Sequence, residues 1–445
     1  MAVEKSTPAR TTRRMKAPAL RRCGGGALAV VLASALVAGC TFDRAANADA
    51  QRGLRPFAGG VRDSPAEPDP TDFRHGPADP SARGDALVSV TTQVRHLDVP
   101  WGVTFLPDGG ALVTERRTAR ILKVGPGRQR NGELTVAVVA TITEANSDTE
   151  GGLLGIAASP AFTRDRTVFV YYSTKTDNRI AKLRLGGRPQ PIVTGIPSGG
   201  VHNGGRLAFG PDGYLYASTG DASHTENAQN LSNLGGKILR MTADGKPAAG
   251  NPFPGSLVWS YGHRNPEGMA WDGHGNMYVA EIGEAVWDEL NVVQPGRNYG
   301  WPMVEGIGGN PKYVDPVVAW HPEVGVSADV AIDGRIAVVT CLRGQRIYLV
   351  PLDGGAARGA GSRAVEGGGN DMAGMQWRPQ AGVAGRPTEA LTAEYGRLRT
   401  AITAPDGSIW LTTSNRDGRN DRGPSLEDDR ILRLTLRPAS GAAGG

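Results

Sequence analysis

The sequence predicts an all-β fold, a six-bladed β-propeller with four-stranded antiparallel blades, on three observations. A unit of two apolar alternations around a turn recurs six times, five of them with Asp-Gly at the turn. Glycine (63) and proline (31) are plentiful while aromatics make up only 6% of the 445 residues, the profile of many short strands joined by turns. Convincing amphipathic helices are absent from the body.

The N-terminus reads as an address. Lys5, Arg10, Arg13, Arg14, Lys16, Arg21 and Arg22 precede an apolar run over 24–39, opposed there only by Glu4. The run is too short for an ordinary membrane-spanning helix and carries the flanks of a secretory signal. It ends in Leu36-Val37-Ala38-Gly39-Cys40, which resembles the bacterial lipobox, whose cysteine receives lipid and becomes the new N-terminus. Residues 1–39 are therefore expected to be a lipoprotein signal peptide, starting at Met1 or Met15, and the protein to be exported and held at Cys40 on the outer face of the membrane. The formal net charge of +5 belongs to this signal. The remainder is nearly neutral and shows no basic footprint for nucleic acid. Residues 40–84, rich in Ala, Pro, Asp and Arg, read as a flexible tether, and 438–445 as a disordered tail.

The body, 85–437, carries the repeats. Four are strong: Phe105-Leu-Pro-Asp-Gly-Gly-Ala-Leu-Val-Thr-Glu115, Phe209-Gly-Pro-Asp-Gly-Tyr-Leu-Tyr-Ala-Ser-Thr-Gly-Asp221, Ala270-Trp-Asp-Gly-His-Gly-Asn-Met-Tyr-Val-Ala-Glu281 and Ile402-Thr-Ala-Pro-Asp-Gly-Ser-Ile-Trp-Leu-Thr-Thr-Ser414. Two are weaker, over 157–172 and 330–340. Glycine supplies the positive φ that tight hairpins need, and a spacing of roughly fifty to seventy residues suits one four-stranded blade each. Polar residues follow the repeated strands (Glu115, Arg116, Asp221, Glu281, Arg343), and in a closed ring equivalent strand ends share one face. Arg116 taken alone reads as a solvated turn residue. Cys23 falls in the signal and Cys40 at the lipid site, so Cys341, in an apolar run, is expected to be a lone buried thiol without a disulfide partner.

Two segments carry candidate chemistry. His202-Asn-Gly-Gly-Arg206 precedes a repeat whose strand ends at Asp221, and a carboxylate facing an imidazole fixes its tautomer and raises its basicity. Tyr261-Gly-His-Arg-Asn-Pro-Glu-Gly-Met269 brings Arg264, whose fork suits polarising a carbonyl. The oxygen-rich stretches Glu281-Ile-Gly-Glu284 and Trp287-Asp-Glu-Leu-Asn291 are compatible with calcium, without the EF-hand spacing.

These motifs, with Asn298-Tyr-Gly-Trp-Pro302, resemble the glucose/sorbosone dehydrogenase family over nearly the whole body, from Leu97 to Arg433. The resemblance implies a six-bladed enzyme that uses pyrroloquinoline quinone (PQQ) and Ca²⁺ to oxidise the C1 hydroxyl of an aldose to the lactone, passing electrons to an acceptor that the sequence does not name. It implies His202 as general base, Asp221 as its orienting partner, and Arg264, with Asn265 beside it, at the quinone carbonyl. Arg397 and Arg399 would bind the cofactor's carboxylates, and Glu150 and Arg343 would stand near cofactor and substrate. The carbonyls of Gly283 and Glu284 would hold the calcium at the quinone, and Glu289 with the Tyr299 carbonyl a structural one. Glu150, Arg343 and Glu284 depart from the usual Gln, Lys and Pro of the family, which bears on substrate range more than on cofactor. Two other readings are a calcium-dependent lactonase-type propeller, which would not need Arg397 and Arg399 converging on an anion, and a non-catalytic binding propeller.

Overall fold

A computed structural model of the protein describes residues 87–325, 327–353, 370–371, 374–377, 382–420 and 423–436. The signal, tether and tail expected at 1–39, 40–84 and 438–445 lie outside them. The described strands form six antiparallel sheets, and each repeat, weak copies included, joins the first two strands of one sheet; the copy at 157–172 does so without Asp-Gly, through a loop that holds the helical turn Phe162–Asp165.

From the axis outward, the first blade comprises Pro100–Phe105, Ala111–Glu115, Arg120–Arg128 and Leu134–Thr141. The second comprises Leu153–Ala158, Thr167–Ser173, Asn178–Arg184 and Gln190–Ile196. The third has Leu207–Phe209, Leu215–Thr219, Lys237–Met241 and Val258–Tyr261. The fourth begins with Asn265–Trp271, Met277–Ile282, Asp288–Val293 and Val318–Trp320. The fifth has Ser327–Asp333, Ile336–Cys341, Arg346–Pro351 and Thr388–Ala390. The sixth combines Leu398–Thr403, Ile409–Thr413 and Ile431–Leu436 with Leu87–Val94, from the start of the body. Thr91 pairs with Arg433 in that last step, so the two ends of the domain fasten the ring. The innermost strands of successive blades lie side by side, and the sixth returns to the first.

One blade departs from the expected four strands. Val318–Trp320, the outer strand of the fourth blade, pairs with Met375–Trp377, which pairs in turn with Asn370–Asp371. This addition comes from the long connection between the last two strands of the fifth blade, and it satisfies backbone groups that an edge strand would leave open.

Six hydrophobic clusters fill the described domain, one between each pair of neighbouring blades. Leu112, Ile121, Val168 and Tyr172 join the first and second, and Tyr278, Leu290, Val339 and Tyr348 the fourth and fifth. Because each blade is covered on both faces, second strands such as Ala111–Glu115 and Leu215–Thr219 are buried along their whole length, polar Thr114, Glu115, Ser218 and Thr219 included. Cys341 is buried and free, and burial pushes its thiol pKa up. The described helices, Phe162–Asp165 and Glu226–Gln229, are single turns within loops.

Five of the six innermost strands share one irregularity, absent from Leu207–Phe209 of the third blade. Pairing with the second strand shifts register between Pro100 and Val103, Leu153 and Ile156, Pro266 and Gly268, Ser327 and Asp329, and Leu398 and Ala401. Such bulges re-aim side chains. All five sit where the inner strand begins, on the face carrying the ends of the second strands.

Candidate active site

His202 and Asp221 meet on that face at the third blade. His202 has a left-handed backbone (φ +59°), a conformation that a non-glycine residue keeps only when its surroundings impose it. Its N–H donates to Glu150 Oε2 at 3.0 Å, and its carbonyl accepts from the Ala222 N–H at 3.1 Å. Gly220 has to be glycine here, since a Cβ would overlap the His202 carbonyl. The His202 Nδ1 to Asp221 Oδ1 distance is 2.8 Å, with Asp221 fully buried and His202 partly open. Burial disfavours the Asp221 charge, but hydrogen bonds from His202, Trp301 and the Ser223 amide outweigh it and hold the carboxyl below the usual range.

Arg264 precedes the innermost strand of the fourth blade. Its N–H donates to Glu281 Oε1, and its guanidinium reaches the Ile282 carbonyl at 3.3 Å and the Gly283 carbonyl. Behind it, buried His263 bridges Ser260 Oγ and Glu281 Oε2, each at 2.8 Å, and stacks on Tyr299. Asn265, also predicted at the site, is spent on the scaffold: its Oδ1 accepts from the Gly204 N–H at 2.9 Å and its Nδ2 donates to Glu267 at 3.2 Å.

Beside these groups lies a pocket lined by Trp101, Leu154, Glu267 and Arg399, together with Arg116, Glu150, Asn203 and Gly204. The first four are the residues that the inner-strand bulges re-aim. Buried ion pairs reach across the ring: Arg399 to Glu267 at 2.6 Å, and Arg206 to Asp329 at 2.7 Å, with Arg206 over Trp101. Arg397 pairs with Asp417 at 3.1 Å. Arg116 is the exception among the buried cations. It is 4% exposed rather than a solvated turn residue, and its Nε has no hydrogen-bond partner. Burial and the nearby charge of Arg399 push its pKa down to about 10. A desolvated cation next to another is costly unless an anion joins them. The set Arg116, Arg397 and Arg399 therefore fits a cofactor bearing several carboxylates.

Other predicted residues are not among those lining this pocket. Arg343 forms a 2.7 Å pair with Glu323, both more than half exposed. Gly283 stays close through its bond from Arg264, whereas Glu284 is exposed. Glu289 is buried, accepts from the Gly306 N–H at 2.6 Å and the Asn291 amide at 3.0 Å, and has its pKa pushed up by burial and the Glu281 charge. Asn291 Oδ1, next to these carboxylates, is buried without a hydrogen-bond partner, an arrangement that fits a cation. Tyr299 donates its hydroxyl to the Val292 carbonyl at 2.8 Å. Among the described residues no group of three or more His, Cys, Asp or Glu side chains is arranged to hold a metal, so carbonyl and amide oxygens would have to complete the shell.

Sequence reasoning missed Glu267, Asp417 and Asn203, and gave Arg116 the wrong role. Glu267 follows Gly-His-Arg-Asn-Pro directly and could have been taken from that motif. Asp417 and Arg116 carried no local signal.

The profile of the Glucose / Sorbosone dehydrogenase family matches residues 97–427. The chain is 40% identical to the aldose sugar dehydrogenase of Streptomyces coelicolor, solved in its PQQ-bound form, over 78% of this chain and 98% of that one, with a TM-score of 0.69. It is 34% identical over 239 residues to the aldose sugar dehydrogenase of Escherichia coli K12, covering 49% of this chain and 62% of the relative. It is 32% identical over 249 residues to quinoprotein glucose dehydrogenase B of Acinetobacter calcoaceticus, covering 47% and 52%. The matches thus span between about half and two thirds of these curated relatives.

Proposed function

The chain belongs to the glucose/sorbosone dehydrogenase family, and from that premise we propose that it oxidises the C1 hydroxyl of aldose sugars to the lactone with PQQ and Ca²⁺. The observation that carries this reading is the His202–Asp221 pair beside a pocket lined by buried Arg116, whose Nε has no hydrogen-bond partner.

Bound there, PQQ would supply the hydride acceptor and Ca²⁺ a Lewis acid. Arg397, Arg399 and Arg116 would hold the cofactor's carboxylates, each with N–H groups beyond those spent on Asp417 and Glu267. The carbonyls of Gly283 and Glu284 are the donors offered to the catalytic cation, and Glu289 with the Tyr299 carbonyl to a structural one. With Nδ1 engaged by Asp221, the His202 lone pair is directed to Nε2, which takes the proton of the sugar hydroxyl. Asp221 fixes the imidazole plane and stabilises the imidazolium that results. Arg264 offers its guanidinium to negative charge developing beside it. Glu150, bonded to the His202 N–H and to Arg419, sets the polar wall that meets the sugar. An external acceptor takes up the electrons. The Leu36–Cys40 pattern supports export and lipid anchoring at Cys40, the only attachment to the membrane in this reading; a Cys40→Ser protein that still partitions into detergent would overturn it.

The test is reconstitution. Purified protein given PQQ and Ca²⁺ is expected to reduce a redox dye with one or more aldoses. No reduction with any aldose, together with no PQQ-dependent spectral change, would sink the reading. A His202→Ala protein with full turnover would refute the base.

A further inference from the structure

We propose that Trp301 is a positioning residue that ties the His202–Asp221 pair to Arg264, an inference that rests on the roles given to those residues above. Trp301 belongs to the Asn-Tyr-Gly-Trp-Pro motif, in which the Tyr299 carbonyl has a proposed role and the indole has none. It is 8% exposed yet a member of none of the six clusters between blades. Packing of the ring therefore does not account for it.

Its contacts do. The indole Nε1–H donates to Asp221 Oδ2 at 2.8 Å, while Oδ1 of the same carboxylate meets His202 Nδ1 at 2.8 Å and accepts from the Ser223 N–H at 2.8 Å. The Arg264 guanidinium carbon lies 5.4 Å from the centre of the Trp301 ring, within reach of a cation–π contact. The Trp301 main chain is pinned on both sides of the site. Its N–H donates to the Gly262 carbonyl at 2.9 Å, two residues before Arg264, and its carbonyl accepts from Gln229 Nε2 at 2.6 Å, in the loop after Asp221.

The two loops also touch directly, through the Asp221 N–H and the Arg264 carbonyl at 2.7 Å. That bond fixes the main chain but leaves the Asp221 carboxylate free to rotate. A carboxylate held at one oxygen by an imidazole and at the other by an indole has one plane, and the imidazole inherits it. Trp301 thus sets the direction of His202 Nε2 relative to the guanidinium on its own ring.

The Asp221 carboxylate meets His202, the Ser223 amide and the Trp301 indole, its carbonyl accepts from the His224 N–H and the Asn227 amide, and its N–H donates to the Arg264 carbonyl; His202 is the titratable side chain bonded to the carboxylate. Trp301→Phe keeps an aromatic face for Arg264 and removes only the donor. Without it Asp221 becomes a stronger acceptor for His202, so the imidazole holds its proton more firmly. In the reconstituted holoenzyme the acid limb of the kcat profile is expected to move to higher pH. At neutral pH kcat falls about tenfold with KM within about twofold. In an Asp221→Asn background the same change is expected to cost nothing further, because the carboxylate through which it acts is gone. Gln229→Met, which frees the Trp301 carbonyl and leaves the indole intact, is expected to give a smaller shift of the same sign even if Trp301→Phe fails to fold. A wild-type pH profile in both variants, or a full cost of Trp301→Phe on top of Asp221→Asn, would overturn the proposal. A wild-type protein without PQQ-dependent activity would sink the enzyme reading instead.

Discussion

Asp417 and Arg116 show opposite ways of handling buried charge. Asp417, 1% exposed, pairs with Arg397 at 3.1 Å and lies 3.9 Å from Arg399. Burial works against its charge, but the two guanidinium groups prevail and its pKa is lowered. A carboxyl lowered in the fold contributes stability above its unfolded value, near 3.9, and loses it as pH falls through the folded value. Asp417→Asn is therefore expected to cost about 3–5 kcal/mol at pH 7, with the difference from wild type shrinking toward pH 3, as read by urea denaturation at each pH. Arg116 has no such partner. Arg116→Gln is expected to leave the melting temperature of the apo-protein unchanged or raised, while weakening PQQ binding at least tenfold in a spectral titration. His202, Asp221 and Arg264 were legible because their motifs are contiguous and chemically distinctive. Arg116 was not, because the same Glu-Arg after a strand suits a wet turn as well as a dry pocket, and only the neighbouring blades decide which.

At the scale of elements, the pocket is made by what interrupts the strands. Period-two alternation made the hairpins readable, but a bulge leaves no mark in it, so the turning of Trp101, Leu154, Glu267 and Arg399 toward one pocket was invisible. The loop after Asp221 has an equally hidden support. Lys237, at the start of the third strand of the third blade, is fully buried and donates to the carbonyls of Asn227 and Gly235 at 2.6 Å and of Ala228 at 3.1 Å. In sequence it looks like an ordinary strand lysine. Lys237→Met leaves these acceptors without their donor, at a cost of about 3 kcal/mol, and loosens the loop that orients Asp221. A lowered melting temperature with or without PQQ, accompanied by a fall in kcat, is the expected outcome.

For the molecule as a whole, the ring depends on Leu87–Val94 closing the sixth blade against Ile431–Leu436. Removing residues before 95 opens that edge, takes Val94 out of its cluster and uncovers the Leu97, Val103 and Ile431 that remain. The expected result is a fall of about 10 °C or more in apparent melting temperature and concentration-dependent aggregation through the freed edge, measured by thermal scans and light scattering. Closure also explains how Glu150, Arg264 and Arg397 come to one face, since equivalent strand ends in a ring all point the same way. The sequence by itself determined the six hairpins, the number of blades, the His202–Asp221 pair and the arginine motif, because turn chemistry and local spacing are written in neighbouring residues. Only the tertiary structure decided that Arg116 is buried with its Nε unsatisfied, that Arg343 faces solvent, that the fourth blade takes two extra strands, and that Trp301 contacts both Asp221 and Arg264. Each of these depends on which chain segments meet across the ring, and contacts between residues far apart in the chain leave no local pattern to read.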